Sequence, residues 1–226
     1  MFKLALFDFN GTVLDDELMW GDAFHSVLEK YGIDSRAVTH QPGIGVSGNW
    51  VDYKKRFEQL TNCSIEQLRD ETLAEYTYHV SHSPTLRRGV VDFIMLLKEH
   101  NLPVILATSL DRNILEDTLP HFPTINNLFE LIVAGDDVSR KKPAPDIFIE
   151  ALKRFNQMKN IDLKPADCIV FEDAVAGVQA AQSAGMHVVY LPNEQVEKND
   201  GIVAADLEVS DFTEKRLYAF VLGGDR

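Results

Sequence analysis

Short, continuously apolar runs alternate along this chain with stretches that are apolar on one side only. The run "KLALF" (3–7) stops at Asp8, and "PVILAT" (103–108), "LIVAG" (131–135) and "CIVFED" (168–173) repeat the pattern of a short run closed by polar or small residues. Runs of this length without alternation are expected of strands covered on both faces. Between them, Val90 to Lys98 and "PDIFIEALKRF" (145–155) are amphipathic, with Phe148, Leu152 and Phe155 at helical spacing and Pro145 at a first helical position. The stretch "AVAGVQAAQSAG" (174–185) predicts a further helix, with Asp173 as its N-cap and Gly185 as its stop. This alternation predicts an α/β fold with an open, mostly parallel sheet and helices on both faces. Ligands then belong at the carboxyl ends of the strands, near the switch in strand order.

Residues from about 15 to 85 break the alternation. They hold "ELMWGDAFHSVLEKYG", a glycine-rich "QPGIGVSGNW" (41–50) and two stretches of helical pattern, the second opening on a capping box at Ser64-Ile65-Glu66-Gln67. With no strand pattern there, the expectation is an all-helical insertion, residues 16–84, in a core made of 1–15 and 85–226.

Composition narrows the partners. The 226 residues hold 35 acidic and 22 basic side chains, a formal charge of −13. Such a field repels phosphodiester backbones and anionic lipid, which argues against nucleic acid and membrane surfaces as partners. A small phosphate ester would need local cations or a metal to enter. The two cysteines, Cys63 and Cys168, are too few for a disulfide framework, and a reduced, cytoplasmic setting is expected. "MFKLALF" is cut by Asp8 before a signal-peptide core could form, and no apolar stretch approaches membrane-spanning length.

The polar residues at the strand ends carry the candidate chemistry: Asp8 with Asn10 and Thr12, Thr108 with Ser109, Lys142 before "PAPD", and Glu172 with Asp173. Taken singly, the aspartates and threonines read as cap or turn residues and Lys142 as a solvated lysine. Together at one sheet edge they match phosphoryl transfer through an aspartyl phosphate. Asp8 would attack phosphorus, while Thr108 and Lys142 would hold its equatorial oxygens. Asp8, Glu172 and Asp173 would hold Mg2+, a hard ion that prefers oxygen ligands.

The motifs "DFNGTVLD" (8–15), "VILATS" (104–109), "KKPAPDIF" (141–148) and "VFEDAVAGVQAAQSAGM" (170–186) resemble those of the haloacid dehalogenase (HAD) superfamily, near its β-phosphoglucomutase-like phosphatases with a helical cap. The resemblance implies a Rossmann-like three-layer core, a cap closing over the site, magnesium dependence and phosphatase activity on a small phosphorylated metabolite. Position by position, it makes Asp8 the nucleophile, Thr108 the phosphate-binding hydroxyl and Lys142 the motif lysine. Glu172 and Asp173 become metal acids, and the main-chain carbonyl of Asn10 a further metal ligand.

Asn10 departs from that pattern, because in the family's phosphatases and mutases the side chain there is an aspartate acting as general acid and base. An amide has no titratable proton near neutral pH, and losing a positioned acid/base costs about 10²–10⁴ in rate. Alkyl phosphates should lose more than acyl or aryl phosphates, and Asp8 phosphate should accumulate. Three explanations stand: an engineered replacement; a natural variant in which another acid, Asp15 or Asp16 being nearest, moves the proton; or a catalytically silent protein that binds a phosphometabolite or a protein partner. A second departure lies in "GVSGNW", where Gly48 stands in place of a mutase arginine or a phosphonate-hydrolysing lysine. Mutase and phosphonatase activities therefore fall below phosphatase, and the wording "FEDAVAG" disfavours a dehalogenase. Lys54, Lys55 and Arg56 read as a solvated helix face and Met19 and Trp20 as cap packing that could also line the pocket. His25 and His79 lack partners at ligand spacing, and oligomeric state is left open by the sequence.

Overall fold

In the computed structural model, which describes residues 1–41, 44–192 and 204–223, β1 (Leu4–Phe7) runs through the middle of a six-stranded sheet. The other strands are β2 (Val104–Ala107), β3 (Ile132–Val133), β4 (Cys168–Glu172), β5 (His187–Tyr190) and β6 (Leu207–Glu208). Their order is β3-β2-β1-β4-β5-β6 and every pairing is parallel. The order therefore switches direction at β1, between β2 and β4.

Eight α-helices accompany these strands among the described residues. Three lie between Asp15 and Thr85: α1 (Glu17–Lys30), α2 (Gly45–Arg56) and α3 (Ile65–His82). The others are α4 (Val90–Glu99), α5 (Arg112–Thr118), α6 (Asp146–Lys159), α7 (Val175–Ser183) and α8 (Lys215–Leu222).

The pleat of β1 sorts its apolar side chains onto two faces. Leu4 and Leu6 join the cluster formed with Phe148, Leu152 and Phe155 of α6 and Val178 and Ala181 of α7. Ala5 and Phe7 join Phe93, Ile94 and Leu97 of α4 and Leu217 and Val221 of α8. Three layers result. Phe7 stacks on Phe171 of β4 at 4.3 Å between ring centroids, and Phe93 and Phe212 pack around the pair. Cutting such a buried ring to alanine typically costs about 3–5 kcal/mol, so this cluster holds firmly the point at which β1 and β4 end.

The polypeptide leaves and rejoins this core at one place. Leu14 and Leu86 form an isolated antiparallel bridge, and Asp15 N–H donates to Thr85 O at 2.9 Å. Between them, α1 packs along α3, and α2 packs on α3 through Trp50, whose indole N–H donates to Thr72 Oγ1 at 2.8 Å. Ser64 caps α3 by accepting from Gln67 N–H at 3.0 Å; the Gln67 side chain, instead of returning to Ser64, donates to Tyr31 and Glu71. In the glycine-rich stretch 41–50, Pro42 and Gly43 lie outside the described residues, and α2 starts at Gly45.

Three local expectations change. The 131–135 run contributes only two strand residues before turning at Gly135–Asp137. The N-cap position of α7 is Ala174, because the carboxylate of Asp173 turns away from the helix toward Thr12. Pro145 is the N-cap residue of α6 and not its first helical residue.

Candidate active site at the carboxyl edge of the sheet

Phe7 of β1 lies opposite Phe171 of β4, so Asp8 and Glu172 leave the sheet side by side at the switch in strand order. Asp8 N–H donates to Phe171 O at 3.0 Å, which fixes the direction of that exit. Lys142, in the loop before α6, enters from the β2 side. Its ammonium donates to both Asp8 Oδ1 and Glu172 Oε1, and it lies 5.0 Å from the Phe148 ring centroid. Asp173 follows on β4 and accepts from the Thr12 hydroxyl at 3.2 Å. Asp8, Glu172 and Asp173 each offer an oxygen, and these atoms lie within 4.8 Å of one another.

Two glycines make this convergence possible. A Cβ at Gly11, where φ is +73°, would sit 1.9 Å from Asp173 Oδ2. A Cβ at Gly177, in the first turn of α7, would sit 2.0 Å from the Glu172 carboxyl carbon. Either side chain would occupy the space of a carboxylate.

The electrostatics are those of several acids crowded out of water. Burial raises Asp8 above the ordinary carboxylate range, with Lys142 opposing the rise. Burial also pushes Glu172 up to about 7, against the pull of Lys142 and with the added repulsion of Asp8. Asp173 is raised well above its usual value by burial and then by the charges of Glu17, Glu172 and Asp8. Burial works against the Lys142 ammonium, but the Asp8 and Glu172 carboxylates outweigh it and keep the lysine charged. The pocket therefore holds more carboxyl groups than Lys142 alone keeps ionised. All the clustered donors are hard oxygens, the set that suits a divalent cation such as Mg2+.

Asn10 stands at the edge of this cluster with its amide direction fixed. Its Nδ2 donates to Asp16 Oδ2 at 2.5 Å and to Tyr76 Oη at 2.9 Å. With the NH2 end facing Asp16 and Tyr76, the amide oxygen is left for the other side. Asp16 also accepts from Gly11 N–H at 2.7 Å and from Tyr76 at 2.6 Å. Burial, followed by the charge of Glu17, raises Asp16 to about 7.

A cavity of about 260 Å3 opens above these groups. Asp8, Asn10, Ser109, Lys142, Glu172 and Asp173 line its sheet side, and Glu17, Trp20, Phe24, His40, Arg69 and Leu73 line its helical side. Thr108 is buried at the end of β2, where its hydroxyl accepts from Leu110 N–H at 3.1 Å; Ser109 beside it reaches the cavity wall. Trp20 both lines the cavity and stacks on Tyr76 at 3.7 Å, whereas Met19 is half-buried against the core. Lys54 donates to Cys63 O, Arg56 lies 3.7 Å from Asp52, and Lys55 is exposed. His25 lies 3.4 Å from Val38 O, and His79 Nε2 is sealed without a partner among the described residues.

The strand-end pattern gave no sign of Glu17, His40, Arg69 and Tyr76, which the helical segment brings to the site from separate places in the chain. It also missed Arg87, buried and donating to the carbonyls of Leu191, Pro192 and Ser210 at 3.1, 3.3 and 3.0 Å. Glu17 alone had a local cue, following the paired acids Asp15 and Asp16.

Residues 5–191 match the family model for haloacid dehalogenase-like hydrolases. The chain belongs to this family. Within it, the chain is 30% identical over 195 residues to the bifunctional riboflavin kinase/FMN phosphatase of Arabidopsis thaliana, matching 84% of this HAD chain but 48% of that protein. It thus spans about half the length of that relative. It is also 30% identical over 205 residues to the "Probable pseudouridine-5'-phosphatase" of Saccharomyces cerevisiae, covering 85% of this chain and 84% of the other. Among solved structures, CbbY of Rhodobacter sphaeroides in complex with phosphate superposes with a TM-score of 0.74 at 22% identity, over 95% and 96% of the two chains, a likeness of fold. This HAD hydrolase therefore has phosphatases among its relatives and a buried acidic cluster at its sheet edge. Among the described residues no helix is long and apolar enough to cross a membrane.

Proposed function

We propose that this chain is a Mg2+-dependent hydrolase of a small phosphomonoester, acting in the cytoplasm through a phosphoryl group carried on Asp8. The observation that carries this reading is the meeting of Asp8, Lys142, Glu172 and Asp173 at the end of β1 and β4. We take residues 1–15 and 85–226 as the catalytic core and 16–84 as the cap that closes the cavity over it. The phosphatase names of the relatives support the reaction class.

Asp8 presents its carboxylate to phosphorus, and the Lys142 ammonium draws the phosphate toward a nucleophile of like charge. Ser109 and the Thr108 hydroxyl proton offer donors to the equatorial oxygens. Asp8, Glu172, Asp173 and the Asn10 carbonyl are the groups that would hold Mg2+. When bound, the ion supplies positive charge that offsets the buried carboxylates and the phosphate oxygens.

Asn10 cannot give or take a proton, but Asp16 and Tyr76 hold its amide so that Oδ1 can accept from the leaving hydroxyl or the attacking water. It orients without transferring. Hydrolysis is slower than with a carboxylate there, and most for alkyl phosphates.

Acetyl phosphate in a single-turnover experiment tests this reading. A phosphoryl group should appear on Asp8 and leave slowly, and Asn10→Asp should speed its departure. If neither protein is labelled, the phosphatase reading is wrong.

A further inference from the structure

In two successive in-line displacements at phosphorus, the position opposite Asp8 is occupied first by the leaving oxygen and then by water. A proton donor and acceptor must face that position from the cap side, because the sheet side is taken up by Asp8, Lys142 and the acidic cluster. On the helical side of the cavity, Glu17 and His40 are the described lining residues whose side chains can both give and take a proton; the Arg69 guanidinium can only donate.

The pair is built as a unit. Glu17 occupies the first turn of α1, and His40 Nε2 lies 2.9 Å from its Oε2, with both side chains less than a tenth exposed. The imidazole stacks on Phe24 at 5.7 Å and lies over Gly21, so residues 17, 21 and 24 hold it along one face of α1. The backbone just after it is pinned to α2. Gln41 N–H donates to Asn49 Oδ1 at 2.7 Å, and Asn49 Nδ2 returns a bond to Gln41 O at 3.0 Å.

The second oxygen of Glu17 is free to work. Among the described residues Oε1 has no hydrogen-bond partner. Glu17 itself lines the cavity. Charged groups near Glu17 are Asp16 beside it in the chain and Asp8 and Asp173 across the cavity, whose carboxylates feel its charge.

We propose that Glu17, positioned by His40, is the general acid and base that serves the Asp8 phosphoryl group in place of residue 10. This rests on the phosphatase reading above. In the first half, Asp8 bonds to phosphorus, the bond from phosphorus to the leaving oxygen breaks, and the Glu17 Oε1 proton passes to that oxygen, giving an alcohol and the Glu17 carboxylate. In the second half, water loses a proton to Glu17 Oε1 while its oxygen bonds to phosphorus and the Asp8 oxygen–phosphorus bond breaks. Inorganic phosphate leaves, and both carboxyl groups return to their starting states.

The test separates the two halves. Asp8 phosphate is formed with acetyl phosphate and Mg2+, the donor is removed, and loss of the phosphoryl group is followed by intact mass. Acetate leaves without help, so Glu17→Gln should change formation by less than about threefold but slow the decay by about 10²-fold or more. Adding Asn10→Asp to Glu17→Gln should restore the decay, and His40→Gln should give a smaller slowing of the same step. Unchanged decay in Glu17→Gln, or formation and decay slowed alike without rescue by Asn10→Asp, overturns the role of Glu17 alone. Absence of any phosphoenzyme in the unsubstituted protein overturns the phosphatase reading and this inference with it.

Discussion

Asn10 and Asp16 are joined by a 2.5 Å hydrogen bond, with Tyr76 Oη bonded to the same carboxylate oxygen at 2.6 Å. The amide that stands where a proton carrier is expected is thus itself held by a buried acid. Asn10→Asp would place two carboxyl groups in contact, and such a pair shares one proton at neutral pH. Phosphate release should speed up as position 10 gains a proton acceptor of its own, while thermal stability falls at pH 8 and recovers toward pH 5. Melting curves at the two pH values together with decay of Asp8 phosphate check both effects; a variant equally stable at both pH values would contradict the contact.

Tyr76→Phe removes the donor to Asp16 and the acceptor of Asn10 while keeping the ring that stacks on Trp20. A buried hydrogen bond to a charged group is worth about 1.5–3 kcal/mol. The expected outcome is a loss of that order in chemical denaturation, with slower decay of the phosphoenzyme as the Asn10 amide loses its orientation. Full stability with unchanged decay would show that Asn10 needs no such support.

In metal-free buffer, stability should fall as pH rises from about 4 to about 7. Asp16 and Glu172 are raised from 3.8 and 4.5 to about 7. The folded protein therefore binds more protons than the unfolded chain in that window. The stability they contribute is full below their unfolded values and is lost as pH rises through about 7, with a slope of up to about 1.4 kcal/mol per pH unit for each group. Asp16→Asn should flatten the profile of melting temperature against pH. A melting temperature that rises steadily across the window would contradict the raised proton affinity of these buried acids.

Magnesium should raise the melting temperature at pH 7.5 and release protons as it binds, because the groups that hold it must be ionised. At a hundred times its dissociation constant a ligand adds about 2.7 kcal/mol, or roughly 5–10 °C for a chain of this size. Asp173→Asn should abolish most of that shift. Calorimetry in two buffers of different ionisation heat reads the proton release, and an equal shift in Asp173→Asn would place the ion elsewhere.

Gly177→Ala should damage the site without touching its chemistry. The new Cβ would fall 2.0 Å from the Glu172 carboxyl carbon, so Glu172 or the start of α7 must move. A cost of about 1–3 kcal/mol is expected from such overpacking, with weaker Mg2+ stabilisation. If the alanine variant keeps both full stability and the Mg2+ shift, the close approach of α7 to Glu172 is not needed.

The strand ends were readable because the chemistry and the fold coincide there: an apolar run ending in Asp8 or in Glu172–Asp173 marks both a buried strand and its functional tip. β5 and β6 were not picked out. "HVVY" is a short apolar run whose outer residues, His187 and Tyr190, are half-exposed, and β6 is two residues long, too short for any period. Asp173 looked like a helix cap because an aspartate before a helix usually is one; here the Thr12 hydroxyl and the acidic cluster claim its carboxylate. The Asn10–Asp16–Tyr76 contacts and the Glu17–His40 pair span 6, 66 and 23 positions of sequence. No local pattern encodes such distances; they depend on how α1 and α3 pack over the sheet edge.

The most direct measurement is the mass of the protein quenched in acid after brief exposure to acetyl phosphate and Mg2+, followed by peptide mapping. The account predicts one added phosphoryl group, on the peptide containing Asp8, absent in Asp8→Asn. Labelling that persists in Asp8→Asn, or no labelling in the unsubstituted protein, would contradict it.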